Sequence, residues 1–305
     1  MRATAPAVLF AVLCLFWGSN WVVLKLAVAE APPFALAASR SLLAGALMIA
    51  IAGPHGAAAL VRAAPARTLA AGILTTTLTY AGLYWGTARI SSGLAAIVNS
   101  ALMPVALAVF GLAFREDTFS RRRAAGIALG AAGLVLLFGG HGGEPEGTAI
   151  GMGMAAVVAG TLAYALGSVW SRPLVRRASP MAVGGVQMLA GGMALAPFAL
   201  LVEGSGAFAA LARPLPLAAT AWLALAGGVL GMTIYLRLIR DWGPTRAGMY
   251  AFVSPVVATA LGAAVLGERL APREILGAGV LLAAAALVLP ASRAGSRPVG
   301  EEPTL

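Results

Sequence analysis

Long runs without a single charge set the terms on which this chain can fold. Between Ala124 and Gly140, for example, no residue is charged. A helix crosses a membrane's hydrocarbon core with about 20 predominantly apolar residues, and irregular backbone is not tolerated against lipid. Ten segments meet that requirement: residues 6–27, 34–53, 67–87, 92–114, 122–139, 148–170, 180–202, 215–236, 245–267 and 273–290. The connectors are short and carry helix breakers, as at Ala31-Pro32-Pro33, Gly53-Pro54-His55-Gly56, Gly142-Gly143-Glu144-Pro145 and Gly243-Pro244, so no extramembrane domain fits between spans. Charged residues make up 10% of the chain, against roughly 25% in a soluble domain. A water-soluble fold is excluded, and the expected class is an all-α polytopic membrane protein.

The charge balance orients it. The net charge is +10, but nearly all basic residues lie in connectors, where they orient helices and face anionic lipid rather than nucleic acid. With the N-terminus in the cytoplasm, fifteen of the 21 basic residues fall inside: Arg2, Arg62, Arg67, Arg115, Arg121, Arg122, Arg123, Arg172, Arg176, Arg177, Arg237, Arg240, Arg246, Arg293 and Arg297. Five fall outside, namely Lys25, Arg89, Arg213, Arg269 and Arg273, which leaves Arg40 within a span. The positive-inside rule then puts both termini in the cytoplasm. The first apolar run continues through Trp17 and Asn20 without a small-residue cleavage site, so it reads as a span rather than a secretory signal. Cys14 is the sole cysteine, so no intramolecular disulfide can form. The Ala/Gly/Arg-rich composition is that of a GC-rich bacterial genome, and the expected location is a bacterial inner membrane.

The two halves of the chain repeat one another. A shift of 151 brings Pro104 onto Pro255, Asp117 onto Glu268, Gly126 onto Gly277 and Tyr84 onto Tyr235. A shift of 147 brings Trp17 onto Tyr164, Lys25 onto Arg172, Pro33 onto Pro180, Arg40 onto Gln187 and Gly45 onto Gly192. Five spans per half is an odd number, so the halves must lie upside down relative to one another. Such inverted repeats recur in secondary transporters, with substrate bound near the midplane between them. The expected organisation is a first repeat over 1–140, a second over 147–290 and a cytoplasmic tail over 291–305.

These residues carry a family resemblance. The segment Leu15-Phe16-Trp17-Gly18-Ser19-Asn20-Trp21, Lys25, Arg40, and the paired modules at 103–130 and 254–282 resemble the EamA family of the drug/metabolite transporter superfamily. The resemblance covers residues 5 to 290, and segments 163–174 and 235–244 are most similar to its YedA-like branch. It implies ten helices in two inverted five-helix halves and export of small organic metabolites such as amino acids. One departure is that the first module reads Arg115-Glu116-Asp117 where the second reads Gly267-Glu268.

Spacing selects the substrate-path candidates. Trp17, Trp21 and Lys25 recur every four residues on one face of span one, with Tyr164, Ser168 and Arg172 as their mates on span six. Thr76, Tyr80 and Tyr84 stripe span three, Tyr235 answers on span eight, and Tyr250 and Ser254 share a face of span nine. Asn20 and Asn99 add polar groups inside spans. Interhelical packing explains any one such Ser or Thr equally well, since polar contacts across membrane bundles are worth about 0.6 kcal/mol. Pro104 and Pro255 mark expected kinks that free the carbonyls of Ser100 and Ala251. Arg40, about a turn and a half from the outer face, is either an anchor for a substrate carboxylate or a structural tie to Glu30 or to backbone carbonyls.

Other functions lack their parts. No His, Asp or Glu lies in a span interior, so an enzymatic constellation and a metal site are not expected, and no Walker or cofactor motif is present. The expected partners are a small-molecule substrate and membrane lipid, not nucleic acid, with the chain as a monomer or weak homodimer. A carrier or flippase for phosphorylated, nucleotide-linked or lipid-linked sugars is the alternative, with Arg40 and Lys25 as phosphate ligands.

Overall fold

The computed structural model describes residues 4–114, 120–138, 145–242 and 250–288, and among them only helices and short connections occur. Chain order gives α1 (Thr4–Glu30), α2 (Pro33–Ala52), α3 (Pro54–Ala63), α4 (Pro65–Gly72) and α5 (Thr79–Thr87). There follow α6 (Ser92–Ala113), α7 (Arg121–Phe138), α8 (Pro145–Trp170), the single turn α9 (Arg172–Val175) and α10 (Pro180–Glu203). The last are α11 (Pro214–Trp222), α12 (Gly231–Trp242), α13 (Tyr250–Leu266) and α14 (Pro272–Val288). Proline opens α2, α3, α4, α10, α11 and α14, where its missing N–H costs nothing. Ser91 and Ser179 cap α6 and α10 by accepting from the Leu94 and Ala182 amides, both at 3.2 Å. Gly53, at φ 93°, turns the chain between α2 and α3.

Six helices are long and apolar enough to cross a membrane: Pro6–Glu30, Pro33–Ala52, Ser92–Ala113, Gly147–Trp170, Pro180–Glu203 and Pro214–Leu238. A seventh span results if Pro54–Ala63 and Pro65–Thr87, bent by 108° at their junction, are counted together. Within the described residues, the remaining expected spans, 122–139, 245–267 and 273–290, overlap the shorter helices α7, α13 and α14. The stretch after Gly53, expected to be a plain connector, forms α3, in which Ala57 and Leu60 are buried, Leu60 against Ala71, Leu174 and Val183. The Arg115–Asp117 end of the first module and the 291–305 tail lie outside the described residues.

Two helices change their winding. Ile73–Leu78 links α4 to α5 as a π-helix, and Leu223–Leu230 links α11 to α12 in the same way. The 151-residue shift carries the first onto the second. Pro104 and Pro255 lie inside continuous α6 and α13, as Pro197 does inside α10. The wide turns therefore fall not at the prolines but in the neighbouring spans.

Small residues let the helices approach. A Cβ on Gly45 of α2 would stand 2.6 Å from the Leu189 amide nitrogen of α10, and one on Gly192 of α10 would stand 3.1 Å from the Leu42 amide nitrogen of α2. The 147-residue shift exchanges these two contacts. In the same way Gly133 abuts Leu281 and Gly130 abuts Ala284 between α7 and α14, a pair that the 151-residue shift exchanges. The main core runs through the interior, with Leu36, Ala35, Leu94, Val98, Met154, Val157 and Leu195 buried.

Candidate functional site

The site is built on the wide turn between α11 and α12. A π-helix pairs each amide one residue further back than an α-helix does, which offsets its carbonyls from the regular ladder. Two carbonyls of this segment accept side chains from other helices. Arg40 Nη2 of α2 donates to the Leu223 oxygen at 3.1 Å, and Trp17 Nε1 of α1 donates to the Gly227 oxygen, also at 3.1 Å. Gly227 and Gly231 make room for this. A Cβ on Gly227 would lie 2.5 Å from Asn20 Nδ2 and 3.3 Å from Arg40 Nη2, and one on Gly231 would overlap the Trp17 indole.

Arg40 is 5% exposed. Its guanidinium carbon sits 4.4 Å from the centre of the Tyr80 ring, and Tyr80 packs edge-on against Tyr84 at 5.8 Å. The cation–π contact and one carbonyl compensate only part of the desolvation of a buried charge, which costs several kcal/mol. Arg40 Nε and Nη1 have no hydrogen-bond partner among the described residues, nor does Asn20 Oδ1. Of the two structural ties that the sequence leaves open, the one to a backbone carbonyl is made, at Leu223, and the one to Glu30 is not: Glu30 is exposed and its backbone oxygen accepts from Arg213 Nη2.

An aromatic group adjoins the cation. Trp17, Tyr235 and Tyr250 pack mutually, with ring centres 4.3 Å apart for Trp17–Tyr250 and 5.4 Å for each of the other pairs. Tyr164 lies within electrostatic range of Tyr80 and Tyr235. The structure thus gathers Trp17, Asn20, Arg40, Tyr80, Tyr84, Tyr164, Tyr235 and Tyr250, contributed by both halves of the chain.

Other sequence candidates stand elsewhere. Lys25 donates its ammonium to the oxygens of Thr87, Ala88 and Ile90 at 3.0, 3.3 and 2.7 Å, closing the C-terminal end of α5. Trp21 packs on the main core. Thr76 presses against Gly191 of α10. Asn99 accepts from Thr161 Oγ1 at 3.0 Å, Ser168 donates to the Tyr164 oxygen of its own helix at 2.7 Å, and Ser254 is buried with its carbonyl against Gly18. Gln187, the repeat mate of Arg40, is satisfied by neutral partners: its Nε2 donates to Ser171 Oγ at 2.8 Å, and its Oε1 accepts from Thr75 Oγ1 at 3.3 Å. The repeat therefore places a charge in one half only.

Four contacts could not be read from the sequence, because each is made wholly or mainly with backbone atoms. Leu223 and Gly227 contribute through their carbonyls. Glu268 accepts from the Ser92 amide at 2.8 Å, from Ser92 Oγ at 2.6 Å and from the Gly93 amide at 3.4 Å, capping α6. Glu203 accepts from the Phe34 and Ala35 amides at 2.8 Å each, capping α2. Among the described residues no group of three His, Cys, Asp or Glu side chains could hold a metal ion.

Comparison with known proteins agrees with this architecture. The pattern of the EamA-like transporter family matches residues 5–139 and 151–289. The uncharacterized inner membrane transporter YedA of Escherichia coli (strain K12) is 33% identical over 90% of this chain and 88% of its own length. A probable amino-acid metabolite efflux pump of Salmonella typhimurium is 26% identical over 88% and 89% of the two chains. The uncharacterized transporter YvbV of Bacillus subtilis is 25% identical over 95% and 93%. A protein crystal structure with 22% identity superposes over 93% of this chain and 96% of its own at a TM-score of 0.61, a likeness of fold alone.

Proposed function

The chain belongs to the EamA-like transporter family, fitting its YedA-like branch, and from that premise we propose that it is a secondary transporter of a bacterial inner membrane that exports small organic metabolites such as amino acids. The observation that carries the reading is Arg40: a buried guanidinium with two unpartnered nitrogens and no described carboxylate beside it. A carboxylate on the substrate would complete it with charge-assisted hydrogen bonds. The name and family of the relatives point to transport rather than catalysis.

Ten spans in two inverted halves, both termini in the cytoplasm, form the proposed architecture. The exchanged glycine contacts between α2 and α10 and between α7 and α14, together with the paired π-helices, support it. Rocking of the halves about the site would give alternating access. The sugar-phosphate alternative is the weaker reading, because Lys25 is occupied by three carbonyls and leaves Arg40 as the one cation at the site among the described residues.

The test is metabolite profiling of medium from strains overexpressing the wild type and Arg40→Ala. Wild type should enrich one or a few carboxylate metabolites, and Arg40→Ala should abolish the enrichment while remaining in the membrane at normal abundance. Arg40→Lys should restore it only in part, since an ammonium lacks the guanidinium's fork. Normal export by Arg40→Ala removes the anchor.

A further inference from the structure

Four buried side-chain atoms among the described residues lack a hydrogen-bond partner, and three of them belong to two side chains that flank Gly227. Arg40 Nε and Nη1 are donors on a cation, whereas Asn20 Oδ1 is an acceptor on a neutral amide. Both side chains converge on Gly227, whose missing Cβ would touch Asn20 Nδ2 at 2.5 Å and Arg40 Nη2 at 3.3 Å. A buried acceptor left unpaired carries a desolvation cost that a ligand donor removes.

We propose that Asn20 is a specificity-determining residue: it selects acids that carry a hydrogen-bond donor on the carbon next to the carboxylate. This rests on Arg40 as the anion anchor. With the carboxylate on Arg40, an α-ammonium or α-hydroxyl points a proton at Asn20 Oδ1. An α-keto oxygen has no proton to give and sets one acceptor against another. Polar sites reject an analogue lacking the matching group more strongly than apolar pockets reject a change of size. No described carboxylate is placed to demand a positive charge there, so hydroxy and amino acids share the chemistry, and the two are separate arms of the test.

The experiment is thermal unfolding of the purified full chain in detergent, titrated with three sets of isosteric acids. Each set comprises an amino acid, its α-hydroxy analogue and its α-keto analogue, built on alanine, leucine and phenylalanine. In at least one set the amino or hydroxy acid should stabilise wild type at about tenfold lower concentration than the keto acid, the scale of one hydrogen bond in a desolvated site. Asn20→Leu should bring the ratio to near one by weakening the donor-bearing acids. Asn20→Asp, which keeps the acceptor, should preserve the ratio for the amino acid although every affinity falls, because its charge competes for Arg40. Should Asn20→Leu fail to fold, Asn20→Ala replaces it, and the wild-type ratio stands by itself.

The inference is overturned if the acids bind through Arg40, as shown by loss in Arg40→Ala, yet wild type treats the three classes alike or Asn20→Leu keeps the wild-type ratio. In that case the transport reading survives. If no acid in any set binds wild type, the anchor reading falls and this inference falls with it.

Discussion

At Arg40 a charge is buried without an acid, and at Lys25 a charge is half-buried with its bonds made, although both are cations near the end of an apolar run. The difference lies in reach. Lys25 extends along α1 to three carbonyls at the end of α5, while Arg40 meets one carbonyl and a ring. Lys25→Ala should therefore act on stability, costing about 1 to 3 kcal/mol by leaving those carbonyls unsatisfied, and should leave substrate selectivity unchanged; thermal unfolding and competition transport measure the two separately. A change in selectivity would return Lys25 to the path. Gly227→Ala should do the reverse. Its Cβ displaces Asn20 and crowds Arg40, so transport should fall about tenfold with little loss of folded protein. Gly279→Ala, with open space around its Cβ, is the matched control and should transport as wild type. The residue types of this cluster were legible in the sequence, because aromatic and polar side chains at spacing four stand out in an apolar background. Which of them meet was not. A stripe names a helix face, and Trp17 and Lys25 share one stripe while reaching different neighbours.

For the elements, the sequence located the helices well and their irregularities poorly. Proline is visible in a sequence, and Pro104 and Pro255 lie inside α6 and α13. The π-helices Ile73–Leu78 and Leu223–Leu230 have no such marker, because ordinary Leu, Thr, Ala and Gly residues form them. What sustains them is tertiary: Thr77 Oγ1 donates to the Gly191 oxygen at 2.9 Å beside the first, and the Arg40 and Trp17 side chains bond carbonyls of the second. The close helix pair α2–α10 offers a graded test. At Gly45 an added methyl meets Leu189 backbone at 2.6 Å, which cannot yield without moving α10, whereas at Gly192 the contact to Leu42 is 3.1 Å and its neighbour gives by a few tenths of an ångström. Gly45→Ala should lower the unfolding midpoint in detergent more than Gly192→Ala, by an overpacking cost of about 1 to 3 kcal/mol. Equal shifts would contradict the packing described.

The whole molecule is where hydropathy says most, since each uncharged run can only be a helix in lipid. Orientation depends on a count of charges, and accessibility tests it. In a Cys14→Ala background a single cysteine at Ser205 should react with an impermeant thiol reagent added to whole cells, and cysteines at Ser120 and Ser179 should not. Labelling at Ser120 would invert the assignment. Energy coupling also belongs to this scale. Every described acid lies at or near a helix end: Glu30, Glu146, Glu203, Asp241, Glu268 and Glu274. Proton-coupled carriers titrate a group in the membrane interior, so counterflow in proteoliposomes should proceed without a pH gradient, and an imposed gradient should drive no uphill accumulation. Accumulation abolished by a protonophore and by Glu268→Gln would show that a helix-end carboxylate takes part.

Where α1 ends and α2 begins, the bundle is fastened by charges that grip backbone: Lys25 on α5, Glu268 on α6, Glu203 on α2 and Arg213 on α1. A backbone partner is present whatever side chain stands there. The bond itself therefore sets no requirement on the side chains at Thr87, Ala88, Ile90, Phe34 and Ala35, which answer only to their own packing, while the gripping charge cannot change. Contacts of this kind leave no correlated substitutions between positions. In this fold, pairwise covariation should report the glycine-lined helix seams and pass over the fastenings at the helix ends.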